Sequence, residues 1–289
     1  MPPSVRDTGA HPYVGARFSL LTQHAKESSI APVINKAFAG ASLEVVRSFD
    51  TDTLGTFTRD VPRPGSQIAA ARRKAELACE LGGVGLGLGS EGAFLPGPFG
   101  FGLLDFELVV LVDRALGIEI VGRAEASDPA LHATVSDASG LEAFALRAGF
   151  PAHGLVLRPD RDDDPRIHKD LMTFDALGDA FAVLLSVFAT GRVFVEQDLR
   201  AHRNPARMGV IRSATQDLVS RARELCPACL HPGYGHVAVI PGLRCRDCRT
   251  PTRVPLADEL GCVCCVHRQR RTRSAVTFAD PAHCDFCNP

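Results

Sequence analysis

Tryptophan is missing from this chain of 289 residues and tyrosine occurs only twice, so platforms on which single-stranded bases stack are poorly supplied. No run of 18 apolar residues occurs, which leaves no candidate for a membrane-spanning helix. The opening MPPSVRDTGAHPYVG is polar and rich in Pro and Gly, without the apolar stretch of a secretory signal. A formal net charge of −1 gives no global field that attracts nucleic acid or an anionic membrane, so such a partner must be met by a local patch. The expectation is a cytoplasmic protein with reduced thiols and no membrane contact.

Cysteine is the residue in excess. Eight of the ten cysteines form four C-x-x-C pairs near the carboxyl end: Cys226/Cys229, Cys245/Cys248, Cys262/Cys265 and Cys284/Cys287. Two residues between thiolates let one tight turn offer both sulfurs to one ion, and four such turns supply two tetrahedral Zn²⁺ sites. With every position thiolate, both ions are expected to be structural. The intervals of 15, 13 and 18 residues suit sequential closure, first pair with second and third with fourth. They leave a cross-braced pairing open, and Cys264 beside Cys265 is an alternative ligand.

Ahead of the cysteines, apolar period-two and helical-period segments alternate, which predicts an α/β fold with a mixed central sheet flanked by helices, followed by two small zinc-ribbon-like modules. The boundaries read as a mobile amino-terminal arm over 1–15, an α/β domain over 16–224 and a tandem zinc-ribbon region over 225–289. Strands are expected near 17–22, 43–47, 84–90, 107–113, 118–126, 153–158 and 192–196. Helices are expected near 27–39, 66–81, 140–148, 174–189 and 205–224.

The helix around Ala71-x-x-Lys74-Ala75-x-x-Ala78 carries a stripe of small residues three and four apart, able to lie flat on a sheet. Lys74 borders that stripe, and the next strand ends in Ser90-Glu91-Gly92, a carboxylate placed to face a cleft. Gly87-x-Gly89-x-x-Gly92 has dinucleotide-loop spacing, but it runs along a strand instead of opening a helix. Farther on, Glu196 and Asp198 leave a strand two residues apart. Asn204-Pro205 caps the last helix, where free N–H groups, Arg200 and Arg207 suit an anion.

The order of these elements resembles the inosine/xanthosine triphosphate pyrophosphatase superfamily over residues 17–125. The matching motifs are Thr22-Gln23-His24-Ala25-Lys26, the helix from Ala71 to Ala78, and Glu91-Gly92. His24 stands where that superfamily has Asn, and Lys26 comes one residue early. The resemblance implies a nucleoside triphosphate substrate and a Mg²⁺ or Mn²⁺ cofactor. On this reading Glu91 and Lys74, joined by Glu196 and Asp198 from the later strand-to-helix junction, take the catalytic roles, while Thr22, His24 and Lys26, joined by Arg200, Asn204 and Arg207 of that junction, hold phosphate. Asp50 and Asp52 remain further candidates for contact. The chain as a whole also resembles an uncharacterised bacterial family, through FDTDTLGTFT, SEGAF, GFPAHGL and CDFCNP; that resemblance implies no activity. The alternative is a non-catalytic protein that binds a nucleotide, a nucleic acid or a protein. Arg268, Arg270, Arg271 and Arg273 between the last two cysteine pairs would then form a basic finger.

Overall fold

Two short apolar strands, β1 (Arg17–Leu21) and β2 (Ser42–Val46), flank the helix α1 (Glu27–Ala37), and α2 (Gln67–Gly82) leads into β3 (Leu86–Pro96). The structure, a computed structural model, describes residues 11–49, 65–97, 102–188, 190–273 and 275–289. β1 pairs in parallel with β2 on one side and β3 on the other. β4 (Leu103–Asp113) and β5 (Ile118–Asp128), joined by only four residues, form a hairpin that completes a mixed sheet of order β2-β1-β3-β4-β5.

α2 forms where it is expected. Ser66 accepts a hydrogen bond from Ala69 N at 3.3 Å, and Gly83 closes the helix in the left-handed conformation at φ +62°. Its Ala71, Ala75 and Ala78 are fully buried. A Cβ on Gly87 or Gly89 would lie 2.0 Å from the carbonyl oxygen of Ala75 or Ala71. These glycines let the helix press directly on β3, which accounts for their spacing without a dinucleotide.

The strands that follow form a second sheet instead of extending the first. β6 (His132–Val135), too short to stand out in the sequence, and β7 (Leu155–Pro159) pair antiparallel with the two edges of β8 (Val193–Gln197). One face of this sheet, with Leu155, Leu157, Val193 and Val195, packs against Phe144, Leu177 and Phe181 of α3 (Ala138–Ala148) and α4 (Phe174–Val187). The last long helix is α5 (Pro205–Arg223).

One compact unit comprises Tyr13–Val112 and Val121–Leu218; the other comprises Asp113–Ile120 and Val219–Pro289 with His11 and Pro12. Residues 1–10 of the expected arm lie outside the described residues. Tyr13, also assigned to it, is buried edge-on against Phe18 and Phe38. No helix among the described residues is long and apolar enough to cross a membrane.

In the second unit β9 (Gly235–Pro241), β10 (Pro255–Gly261) and β11 (Arg268–Thr272) form an antiparallel sheet of order β11-β10-β9. Its strands lie between successive cysteine pairs of the region expected to hold two small zinc-ribbon-like modules.

Candidate functional site

The order β2-β1-β3 places a topological switch between β1 and β3, and open sheets collect ligands beyond the carboxyl ends of strands at such a point. Buried polar groups gather there. Thr22 follows β1, and its hydroxyl accepts from the His24 amide at 3.4 Å. Lys26, buried at the start of α1, donates from Nζ to the Ser90 carbonyl and hydroxyl oxygens at 3.4 and 3.3 Å. Lys74 Nζ meets Glu91 Oε2 at 2.5 Å, both side chains buried.

Successive strand residues point to opposite faces. Gly87, Gly89 and Glu91 face α2, whereas Ser90 and Gly92 face the other way. A Cβ at Gly92 would come within 2.2 Å of the Glu107 carboxylate and 2.6 Å of the Arg207 guanidinium. Gly92 thus makes room for the Arg207–Glu107 ion pair, 2.6 Å long and essentially without solvent exposure. Arg207 also donates to the Leu199 carbonyl at 2.6 Å. The Lys74–Glu91 pair and the Arg207–Glu107 pair therefore sit on opposite faces of one sheet, and Lys26 at the strand ends feels all four charges. Burial pulls the Lys26 amine down to about 8, with Glu107 opposing the fall and Arg207 adding to it.

Asp105, two residues before Glu107 on β4, was not singled out in the sequence. It is 2 % exposed, and neither carboxylate oxygen has a protein hydrogen-bond partner. Burial pushes its carboxyl up to about 7, and the Glu107 charge adds to the rise. Asn204 Nδ2, also buried, has no protein partner either. The signal for Asp105 and Glu107 was legible: two acids at period two inside the apolar run LLDFELVVLVD.

A pH dependence follows. An acid whose folded pKa lies above its ordinary 3.8 stabilises the fold fully below that value, and the contribution is lost as pH climbs toward about 7. Asp105→Asn cannot ionise, so its thermal stability should gain on the wild type between about pH 4 and 7 and then run parallel. A shift of about three units corresponds to a gain on the order of 2–4 kcal/mol. Melting temperatures from pH 4 to 9 measure it, and a gap that does not change with pH refutes the assignment.

The remaining candidates form a second network. Glu196 pairs with Arg158 at 3.3 Å. Asp198 lies just past β8 and binds Arg200 through its backbone N–H and its guanidinium, the latter also reaching Asp170. These carboxylates hold Arg200 even more firmly protonated than usual, against the effect of its burial. Asn204 caps α5 as expected, its Oδ1 accepting from Arg207 N at 3.0 Å. His24 stacks on His202 at 5.1 Å; burial, then His24, hold His202 below the usual histidine range. Asp50 and Asp52 lie outside the described residues. Among the described residues no three carboxylates bring oxygens within 4.8 Å of one another. Among the described residues the donors do not form a cage for Mg²⁺ or Mn²⁺, because Glu91, Glu196 and Asp198 each face a cation of the protein.

The cysteines assemble into two tetrads, Cys226/Cys229/Cys262/Cys265 and Cys245/Cys248/Cys284/Cys287. Sulfur pairs across them lie 3.8 and 3.6 Å apart in the first and 3.9 and 3.5 Å in the second. A Zn–S bond of about 2.3 Å puts tetrahedral sulfurs about 3.8 Å apart, so both groups could hold zinc. The pairing is first with third and second with fourth, correcting the sequential expectation.

Strand register imposes this pairing. β9 leaves the first knuckle and β10 enters the third, and Gly235 pairs with Gly261, so those two knuckles meet at one end. Pro241 pairs with Pro255 at the other end, beside the second knuckle. β11 then runs back along β10 from Arg268 to Thr272 and delivers the fourth knuckle to the second. Cys264 belongs to neither tetrad and is exposed.

The basic finger is largely answered by its neighbours. Arg273 pairs with Asp258 at 2.6 Å and Arg268 donates to the Cys262 carbonyl at 3.1 Å. Arg270 and Arg271 stand opposite Glu259 and Asp258 in the β10–β11 ladder.

The molecule is thus an α/β protein whose second unit is a cross-braced tetracysteine module. Residues 74–289 match the model of a family described as Domain of unknown function (DUF6671), and the chain belongs to that family. No curated protein and no solved structure matches it.

Proposed function

We propose that the α/β unit hydrolyses a nucleoside triphosphate or a related phosphorylated small molecule, and that the cysteine module is folded by two structural zinc ions. One observation carries the reading. Lys26, Lys74 and Arg207 are buried beside Asp105, Glu91 and Glu107 at the switch between β1 and β3. Buried groups with displaced pKa values, here Lys26 and Asp105, are characteristic of sites that move protons. Lys26, at the strand ends, neutralises phosphate oxygens, while Lys74 stays paired with Glu91 on the other face. Asp105, titrating near 7, takes a proton from the attacking water and returns one to the leaving phosphate. The resemblance to the inosine/xanthosine triphosphate pyrophosphatase superfamily supplies the substrate class. Without a carboxylate cage among the described residues, no step is assigned to Mg²⁺ or Mn²⁺. A nucleic-acid partner at β11 has weaker support, because acids of β10 face its arginines.

The test is a panel of standard and deaminated nucleoside triphosphates offered to zinc-loaded protein with and without divalent salt, reading released pyrophosphate and phosphate. Turnover is expected on at least one of them. Asp105→Asn should lower kcat by about 10²–10⁴-fold, the usual contribution of a general acid–base. Absence of turnover on the whole panel, or an Asp105→Asn variant as fast as the wild type, rejects the reading.

A further inference from the structure

A third group of metal-binding atoms lies beside the first tetrad. A sulfur from Cys229, a sulfur from Cys264 and a ring nitrogen of His231 all fall within 4.8 Å of one another. His231 is 4 % exposed, and its Nδ1 is 2.9 Å from the Cys229 carbonyl oxygen. A carbonyl only accepts, so Nδ1 carries the proton, and in the neutral ring Nε2 keeps the lone pair. Nε2 is buried and has no protein partner. An imidazole fixed by a backbone carbonyl through one nitrogen, with the other bare, is the arrangement that metal-ligating histidines adopt. In this tautomer Nε2 cannot donate to a thiolate, so hydrogen-bond support for the tetrad does not explain it.

We propose that Cys229, Cys264 and His231 bind a third zinc ion, with the Cys229 thiolate bridging it to the ion of the first tetrad. A Zn²⁺ inside four thiolates has a formal charge of about −2, which favours a further cation at its edge. Two sulfurs and one imidazole leave one of four positions open, which water or another small ligand fills. Exposure of Cys264 puts that position within reach of solvent, and with three protein ligands against four this ion exchanges faster than those of the tetrads. Cys264, superfluous to the tetrads, thereby acquires a role.

Full-length protein equilibrated with buffered free zinc should hold three ions per chain by elemental mass spectrometry. Cys264→Ser should hold two, with the melting temperature of wild type stripped to two ions by a mild chelator. In the three-ion protein Cys264 should resist iodoacetamide, and it should react once the third ion is removed. Two ions in the wild type, three in Cys264→Ser, or alkylation of Cys264 indifferent to zinc each overturn the proposal. The alkylation measurement needs no variant and decides the matter even if Cys264→Ser fails to fold.

Discussion

Replacing Cys284 and Cys287 together by serine should empty one tetrad and leave Cys226, Cys229, Cys262 and Cys265 shielded from alkylation. Under sequential pairing the survivors would instead be Cys226, Cys229, Cys245 and Cys248, so peptide-level mapping of protected thiols separates the two arrangements. The expected set follows from the Gly235–Gly261 and Arg268–Gly261 register, which puts the first and third knuckles at one end of the β9–β10–β11 sheet. The effect should be large. Most of β9 and all of β11 are exposed, and the buried residues of β10 are only Ala257, Asp258 and Gly261, so little apolar burial holds the sheet together. A structural zinc contributes on the order of 10 kcal/mol to the fold that it closes. Loss of one ion should therefore melt the Pro241–Pro255 end of the sheet, seen as fast amide exchange there, and a strong chelator should melt the rest. Protection of the second pair in place of the third would reject the cross-brace.

The second large effect is expected at the Arg207–Glu107 pair. Arg207→Met leaves Glu107, 0 % exposed, as a buried charge without its guanidinium, and Gly92 offers no side chain to replace it. Removing one partner of a buried pair destabilises by about 3–5 kcal/mol. The double replacement Arg207→Met/Glu107→Leu removes both charges and should recover most of that loss. Denaturant midpoints of the three variants form a double-mutant cycle, and two single losses that simply add would show that the pair is uncoupled. The single variant should also move Lys26, whose two strongest neighbouring charges are Glu107 and Arg207.

Much of the fold was readable because local physics wrote it. The alanine stripe of α2, its Ser66 cap and its Gly83 stop are all encoded within a few residues, as is the Asn204–Pro205 start of α5. Short pieces without a strong pattern were not readable, as with β6, whose four residues gain their place only by pairing with β8. The candidate site divides the same way. Lys74 and Glu91, 17 positions apart across one helix-to-strand connection, were singled out and do meet. Glu91 and Arg207 were expected around one pocket, yet they lie on opposite faces of the sheet, because the residue of β3 that faces Arg207 is Gly92. A single-residue step along a strand reverses the side on which a group works. Asp105 went unnoticed although its period-two spacing with Glu107 was visible, because its significance lies in burial without a partner, which that spacing does not report.

The amino-acid order by itself determined that four thiolate pairs could serve two metal sites, since a C-x-x-C turn is complete within a few residues. It also determined the α/β class, through the alternation of apolar periods. Which pairs meet in a tetrad, which acids share a face and which carboxyl stays dry were decided only by tertiary structure. Each depends on strand register between segments tens of residues apart, where a shift of one position exchanges neighbours without altering any local preference.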